Sequence, residues 1–384
     1  MRGPTVLPRD YDVFAGLDVD KRTLSVTFLT HQGFVRSLRM PSSVDQLLRH
    51  VRKHFGDQKV AFAYEAGPTG YGLHDGLMAQ AYPCVVAAPA MIPRAPGQRV
   101  KTNRLDSVSL AENLRGGQLR SIHVPGPIYR DLRHLTQLRD TFVRQQAGMK
   151  LRIKSRLLFE GIPFPAAPRG SQWSARVIAD LRTVPCAGAV RFKLDQLLDS
   201  IAFTTEQVRQ TTRTIRRLCQ SEVELAQGIA LIRTVPGMGE IVASQLLARL
   251  GDGREIRHGR QVAGFLGLVP AEHSTGETVA RGGITRTGDG RLRSKLIQAA
   301  WVAVRTDREL QEFYRSVSRS HPPDRAARIA IVAVARKLSL RVAAVLRQQR
   351  PYRRRDPAAP GTQAETMPQG TPRRQAEPGA APRS

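Results

Sequence analysis

The chain has 384 residues, enough for two or three domains with cores of their own. It carries 60 Lys plus Arg against 32 Asp plus Glu, a formal net charge of +28, with 41% hydrophobic and 24% charged residues. That composition suits a soluble globular protein, but the charge fits poorly with a plain metabolic enzyme: such a field is neutralised by a polyanion, and phosphate backbones are the commonest.

Cys84, Cys186 and Cys219 are widely spaced and form no CxxC. They exclude a disulfide framework and a zinc site and read as packed thiols in a reducing compartment. The first ten residues are polar with two prolines, and no apolar run reaches membrane-spanning length. The expectation is a soluble, cytoplasmic protein with no membrane partner.

From Tyr11 the residues alternate. Val13, Ala15, Leu17 and Val19 share one face, and Phe14, Gly16 and Asp18 the other, which is the period of a strand. Asp20-Lys21 reads as a turn. Leu24, Val26 and Phe28 carry a second strand, and a third follows Gln32-Gly33 over residues 34–38. Ser42 or Ser43 caps a helix bearing Leu47, Leu48 and Val51. A short buried strand over 60–64 ends in Glu65, then come Gly67-Pro68-Thr69-Gly70, a helix through Leu73 and Leu77, and a strand over 85–88. This order predicts an α/β layered sheet of mixed direction.

A basic loop (Arg94, Arg99, Lys101, Arg104) leads into a helix over 104–114. One long helix is expected over 130–160, with Leu132, Leu135, Leu138, Phe142, Met149 and Ile153 as its apolar stripe. A second is expected from Leu194 to Ile229. Ile201, Val208, Ile215 and Ile229 fall on a seven-residue spacing, with Leu197, Leu218 and Leu225 on the companion seam. Thr204, Thr211 and Glu222 interrupt the seams, giving an imperfect coiled coil that reads either as internal packing or as an arm aiding subunit contact. The remainder reads as mainly helical, closing on an apolar helix around 329–346, and the Pro-, Arg- and Gln-rich end reads as disordered. The expected division is 1–127, 128–230, 231–349 and a tail over 350–384.

The acids carry the first chemistry. Asp18 lies opposite the main apolar stripe of its strand, Glu65 ends another strand, and Asn103 and Asp106 are spaced i, i+3 on one side of a helix turn. Three carboxylates and an amide meeting at one point suit Mg²⁺ or Mn²⁺, hard ions that take oxygen ligands and act on phosphodiesters. Taken singly, each acid reads as a solvated turn residue or a helix cap; it is their joint placement that points to a site.

The segments Gly16-Leu17-Asp18-Val19-Asp20-Lys21, Tyr64-Glu65-Ala66-Gly67 and Lys101-Thr102-Asn103-Arg104-Leu105-Asp106-Ser107 resemble the successive motifs of the DEDD transposases of the insertion sequence 110 family. These are the enzymes of bridge-RNA-guided insertion sequences, with a ribonuclease-H-like domain similar to Holliday-junction resolvases. The third family position is usually Asp and here is Asn103, which offers a carbonyl oxygen but one charge fewer. In the second half, Phe265-Leu266-Gly267-Leu268-Val269-Pro270, Glu272-His273-Ser274-Thr275-Gly276 and the Gly/Arg-rich run from Arg281 to Arg293 are similar to the family's C-terminal motif.

The resemblance implies Ser274 as a nucleophile on DNA phosphate, a transient phosphoserine link, donor and target DNA, a guide RNA, and a homo-oligomer (dimer or tetramer). Read from its own neighbourhood alone, Ser274 is a loop cap beside Thr275, and it is the resemblance that makes it the nucleophile; a metal or His273 could assist it. Gly237 and Gly239, in Thr234-Val235-Pro236-Gly237-Met238-Gly239, suit a turn exposing N–H groups at a helix start, a phosphate site. Lys101, Arg104, Arg281, Arg286, Arg291 and Arg293 are expected on nucleic-acid backbone, arginine for its bidentate fork. Aromatic content of 5% argues against wide base-stacking platforms. Two rival readings stand beside this one: a metal-dependent junction nuclease without a covalent intermediate, and a non-catalytic nucleic-acid-binding scaffold.

Overall fold

A computed structural model describes residues 6–93, 103–166, 172–275 and 278–354, with the backbone alone for Asn103 and within 273–281. The chain divides into two units, Met1–Tyr352 and Arg353–Ser384, and the first holds every helix and strand of the described residues. Lys101 and residues 355–384 of the expected disordered tail lie outside the described residues.

The alternating segments form strands β1 (Val13–Val19), β2 (Thr23–Thr30), β3 (Gly33–Pro41), β4 (Val60–Glu65) and β5 (Cys84–Ala87), in the order β3-β2-β1-β4-β5. β1, β2 and β3 pair antiparallel, while β4 pairs parallel with both β1 and β5, so the sheet is mixed as expected. Period-2 alternation gives the sheet two apolar faces. Ala15, Leu17, Val26, Phe28 and Tyr64 face helices α1 (Val44–Phe55) and α2 (Gly72–Ala79). Phe14, Ala61, Ala63 and Val85 face α3 (Asn103–Arg115) through Ala111 and Leu114. Of the two candidate caps for α1, Ser43 does the work, its Oγ accepting from the Gln46 N–H at 3.4 Å.

α4 (Pro127–Phe159) and α6 (Gly188–Ser221) pack along each other, with α5 (Ala175–Thr183) between them in sequence. Ile153, Leu157, Val177, Leu181, Leu194, Leu198 and Ile201 form a separate core there. Thr204 and Thr211 are buried, and their hydroxyls donate to the carbonyls of Ser200 (2.8 Å) and Gln207 (2.7 Å), so a polar seam residue leaves no orphaned group. The expected single helix from Leu194 to Ile229 is two helices. Glu222 is extended (φ −103°, ψ 112°) and separates α6 from α7 (Val223–Arg233). The break has a tertiary cause: it turns Leu225 and Ile229 into the C-terminal core, where they join Ile215, Tyr129 and Leu132.

That core is built by α7, α8 (Glu240–Leu250), α9 (Gly259–Phe265), α10 (Gly290–Thr306), α11 (Arg308–Arg319) and α12 (Pro323–Gln348). A two-stranded hairpin, β6 (Pro270–Thr275) and β7 (Thr278–Ile284), projects between α9 and α10 in the chain. Cys84 and Cys219 are buried and Cys186 half-buried, all as thiols. Among the described residues no helix is long and apolar enough to cross a membrane.

Candidate active site and nucleic-acid interface

Leu17 of β1 registers with Tyr64 of β4, so the next residues, Asp18 and Glu65, stand side by side at the strand ends. Both belong to the α3 face. Two residues earlier, Gly16 lies so close under α3 that a Cβ there would collide with the Ser107 carbonyl oxygen and the Ala111 nitrogen, and Ala63 packs on Ala111. α3 runs antiparallel to β1: Leu114 packs near Phe14, Ala111 and Ser107 over Gly16, and Arg115 donates to the Thr30 carbonyl at the opposite end of the sheet. Its first turn, with Asn103 and Asp106, therefore reaches the Asp18/Glu65 end.

A hydroxyl chain sets that height. Ser107 donates to the Arg104 carbonyl (2.9 Å), which leaves its oxygen to accept from Thr27 (2.8 Å); Thr27 in turn accepts from Ser37 (2.7 Å). Thr27 and Ser107 are both buried, so breaking one link leaves a desolvated hydroxyl.

The acids brought to this end are two carboxylates on adjacent strands, Asp18 and Glu65, and a third, Asp106, on the covering helix that begins at Asn103. That is the donor chemistry of Mg²⁺. Among the described residues no three His, Cys, Asp or Glu stand close enough together to form a ready-made metal cage. The fit therefore lies in donor type and placement.

In the second region, Ser274 lies in strand β6, paired with Val279 of β7, where its own neighbourhood read as a loop cap; Gly276 falls outside the described residues. Alternation over 270–275 is weak, so the hairpin has little local signature. Arg281 occupies the β7 position opposite Glu272. Arg286 is exposed and has a positive φ of 55°, and Arg291 is exposed in the first turn of α10. Arg293 is half-buried and donates to the Leu266 carbonyl at 2.9 Å, so part of its fork braces the loop entering the hairpin. Gly237 (φ +79°) packs against the Ala299 carbonyl of α10, where a Cβ would collide, so its need for glycine is met by helix packing. Gly239 is the exposed N-cap of α8 with open space around it, and Arg104 is exposed in the first turn of α3.

One feature escaped sequence reasoning. Asp289 caps α10, one carboxylate oxygen accepting from the N–H groups of Arg291 (3.0 Å) and Leu292 (3.1 Å), the other from Arg249 Nε at 2.6 Å. One turn earlier in α8, buried Gln245 donates to Asp140 of α4 at 2.9 Å. The cap was readable from Asp289 standing before a helix; its Arg249 partner, forty residues away, was not.

Burial raises the Asp289 pKa, but the Leu292 N–H, the Arg249 guanidinium and the Arg291 N–H outweigh it and hold the carboxyl below its ordinary value. A depressed folded pKa contributes stability that is fully present above the unfolded value, about 3.9. That stability is lost as pH falls through the folded value. Asp289→Ala is expected to lower stability by about 3 kcal/mol at neutral pH, because it leaves buried Arg249 unpaired. Urea unfolding at pH 7 and again below pH 3 checks this: the gap between wild type and variant should close in acid.

Residues 15–160 match a transposase family of the DEDD IS110 type, and residues 229–315 match the family described as Transposase IS116/IS110/IS902 family. The first match spans Asp18, Glu65, Asn103 and Asp106; the second spans Ser274 and the Gly/Arg run. A Sinorhizobium fredii protein carrying the name transposase y4qE is 33% identical over 76% of this chain and 72% of its own length. The transposase for insertion sequence element IS1328 of Yersinia enterocolitica is 31% identical over 53% of this chain and 60% of its own length. A pilin gene-inverting protein of Moraxella bovis is 30% identical over 41% of this chain and 48% of its own length. DEDD transposase domains have a ribonuclease-H-like α/β fold, which the mixed sheet fits, and typically depend on a divalent metal. The chain therefore belongs to the IS110 family of DEDD transposases, enzymes that cleave and rejoin DNA.

Proposed function

We infer that this transposase joins DNA through two separate groups: the oxygen-donor site at the end of β1 and β4, and Ser274 in the β6–β7 hairpin. The observation that carries the reading is the placement of Asp18 beside Glu65 beneath the first turn of α3. Asp18, Glu65 and Asp106, with Asn103 as a neutral fourth donor, would hold Mg²⁺ or Mn²⁺. When bound, the ion supplies positive charge against the phosphate in flight. The Ser274 Oγ gives up its proton and attacks phosphorus, forming a phosphoserine ester and expelling a sugar oxygen, which takes up a proton to become a hydroxyl. A second DNA hydroxyl then attacks the same phosphorus and returns the serine. Each step exchanges one phosphoester for another, so rejoining needs no outside energy source.

Arg286 and Arg291 flank the loop between hairpin and α10 and serve to hold the backbone of donor and target DNA. The strongly basic composition is also large enough for a structured guide RNA. In this reading residues 1–127 carry the acid site, 128–230 a coiled-coil arm for assembly into a dimer or tetramer, and 231–349 the serine region, all in the cytoplasm.

A nicked DNA substrate that strands the intermediate tests the serine. Wild-type protein is expected to give a covalent protein–DNA band on a denaturing gel, and Ser274→Ala none, with joined product also lost. Normal cutting by Ser274→Ala would sink the serine mechanism and favour a hydrolytic nuclease.

A further inference from the structure

Beside the acid site, a groove of about 480 Å³ runs over β2 and β3 on the α3 face. The strand register extends the acid site into it. Asp18 registers with Ser25 of β2, and Ser25 with Arg39 of β3, so Glu65, Asp18, Ser25 and Arg39 form one row across four strands. At ordinary strand spacing, Arg39 begins about 10 Å from Asp18. Its Nε and Nη2 donate to Thr23 Oγ1 at 3.3 and 3.1 Å, which pins the guanidinium and leaves the Nη1 side for a ligand. Arg104, from the first turn of α3, lines the same groove, and the Thr27–Ser37–Ser107 hydroxyl chain lies along it. Phe34, in register with Leu29 on this face, is 59% exposed, a large apolar ring left in water. No acidic residue lines the groove among the described residues.

We propose that this groove holds a single DNA strand next to the bond being cut. Arg39 and Arg104 grip the neighbouring phosphate, and Phe34 takes one base on its ring. The argument for that occupant is charge and continuity: one pinned arginine and one exposed arginine, no acidic lining residue among those described, an exposed ring, and a floor continuous with the row of Asp18. A pinned guanidinium with an exposed ring about 13 Å farther along the same strand face, where Phe34 registers with Leu29 and Arg39 with Ser25, suits an extended strand with an unpaired base better than a duplex, whose bases are stacked away from such a ring. Arg39 is thus a positioning residue. The proposal rests on the acid-site reading above, and its test separates the two.

The experiment measures anisotropy of a labelled single-stranded DNA oligonucleotide, with Mg²⁺, on the full chain. Arg39→Ala and Phe34→Ala are each expected to weaken binding on the order of 10-fold, the usual scale for one stacking or phosphate contact. Arg39→Ala should also flatten the salt dependence by roughly 0.7 in log–log slope. Arg39→Lys should restore the slope but not the full affinity, since the fork is lost. Asp18→Asn should keep strand binding while losing cleavage; if it still cleaves, the acid-site reading fails and the groove is judged on binding alone. Wild-type binding in both Arg39→Ala and Phe34→Ala overturns the proposal. So does equal weakening toward duplex DNA, a preference for RNA of the same sequence, or a change confined to self-association. Should Arg39→Ala unfold, Phe34→Ala, at an exposed position, decides the matter.

Discussion

Substituting Asn for Asp18 is expected to lower DNA strand cleavage by about 100-fold or more, since the loss of one charged group aimed at a reacting phosphate is worth that much. The replacement keeps shape and hydrogen-bonding size and removes only the charge, at a strand end that is half-exposed. In the proposed donor set Asn103 is already neutral, so a second neutral amide would leave Glu65 and Asp106 as its two anions. Two measurements check it. Cleavage of a donor–target DNA pair should collapse in Asp18→Asn while the far-ultraviolet circular dichroism stays that of wild type. Magnesium should raise the melting temperature of wild type and have a smaller effect on the variant, because an ion bound only to the folded state stabilises it by mass action. Cleavage at the wild-type rate would remove the carboxylate site from the mechanism.

Gly16→Ala, a single added methyl group, is expected to cost about 3 kcal/mol, the upper end for overpacking. The methyl would be driven into the Ser107 carbonyl oxygen and the Ala111 nitrogen. Both are backbone atoms of α3, so no side chain can swing away, and the helix itself must lift. Lifting α3 stretches the Thr27–Ser107 bond and carries Asp106 away from Asp18 and Glu65, so activity should fall together with stability. Gly148→Ala in α4 is the control. Nothing lies within 4 Å of a Cβ at Gly148, so this change should stabilise by about 1 kcal/mol through helix propensity. Urea midpoints for the two variants should move in opposite directions; an unchanged midpoint in Gly16→Ala would show that α3 is not clamped there.

Much of the first half was legible because its signals are local. Alternation from Val13 to Val19 placed Asp18 opposite the apolar stripe, and the sheet keeps it there. The i, i+3 spacing of Asn103 and Asp106 put both in one turn of α3, and Ser43 was among the two caps expected for α1. The remainder depended on partners far away in the chain. Glu222 gives no Pro or Gly to announce a break, yet it is extended there, and beyond it Leu225 and Ile229 are buried in the C-terminal core. Gly237 suggested a phosphate turn, and its close approach to the Ala299 carbonyl, a contact with a helix sixty residues away in the chain, had no local signature.

The sequence by itself determined the polyanion preference, the strand and helix types of the sheet region, and which acids could meet. Charge count, periodicity and capping are properties of neighbouring residues and survive without a fold. Tertiary structure alone decided the row of Glu65, Asp18, Ser25 and Arg39, the height of α3 over Gly16, and the pairing of Arg249 with Asp289. Each of those is set by register or burial between segments distant in the chain, and neither quantity exists until the chain has closed on itself.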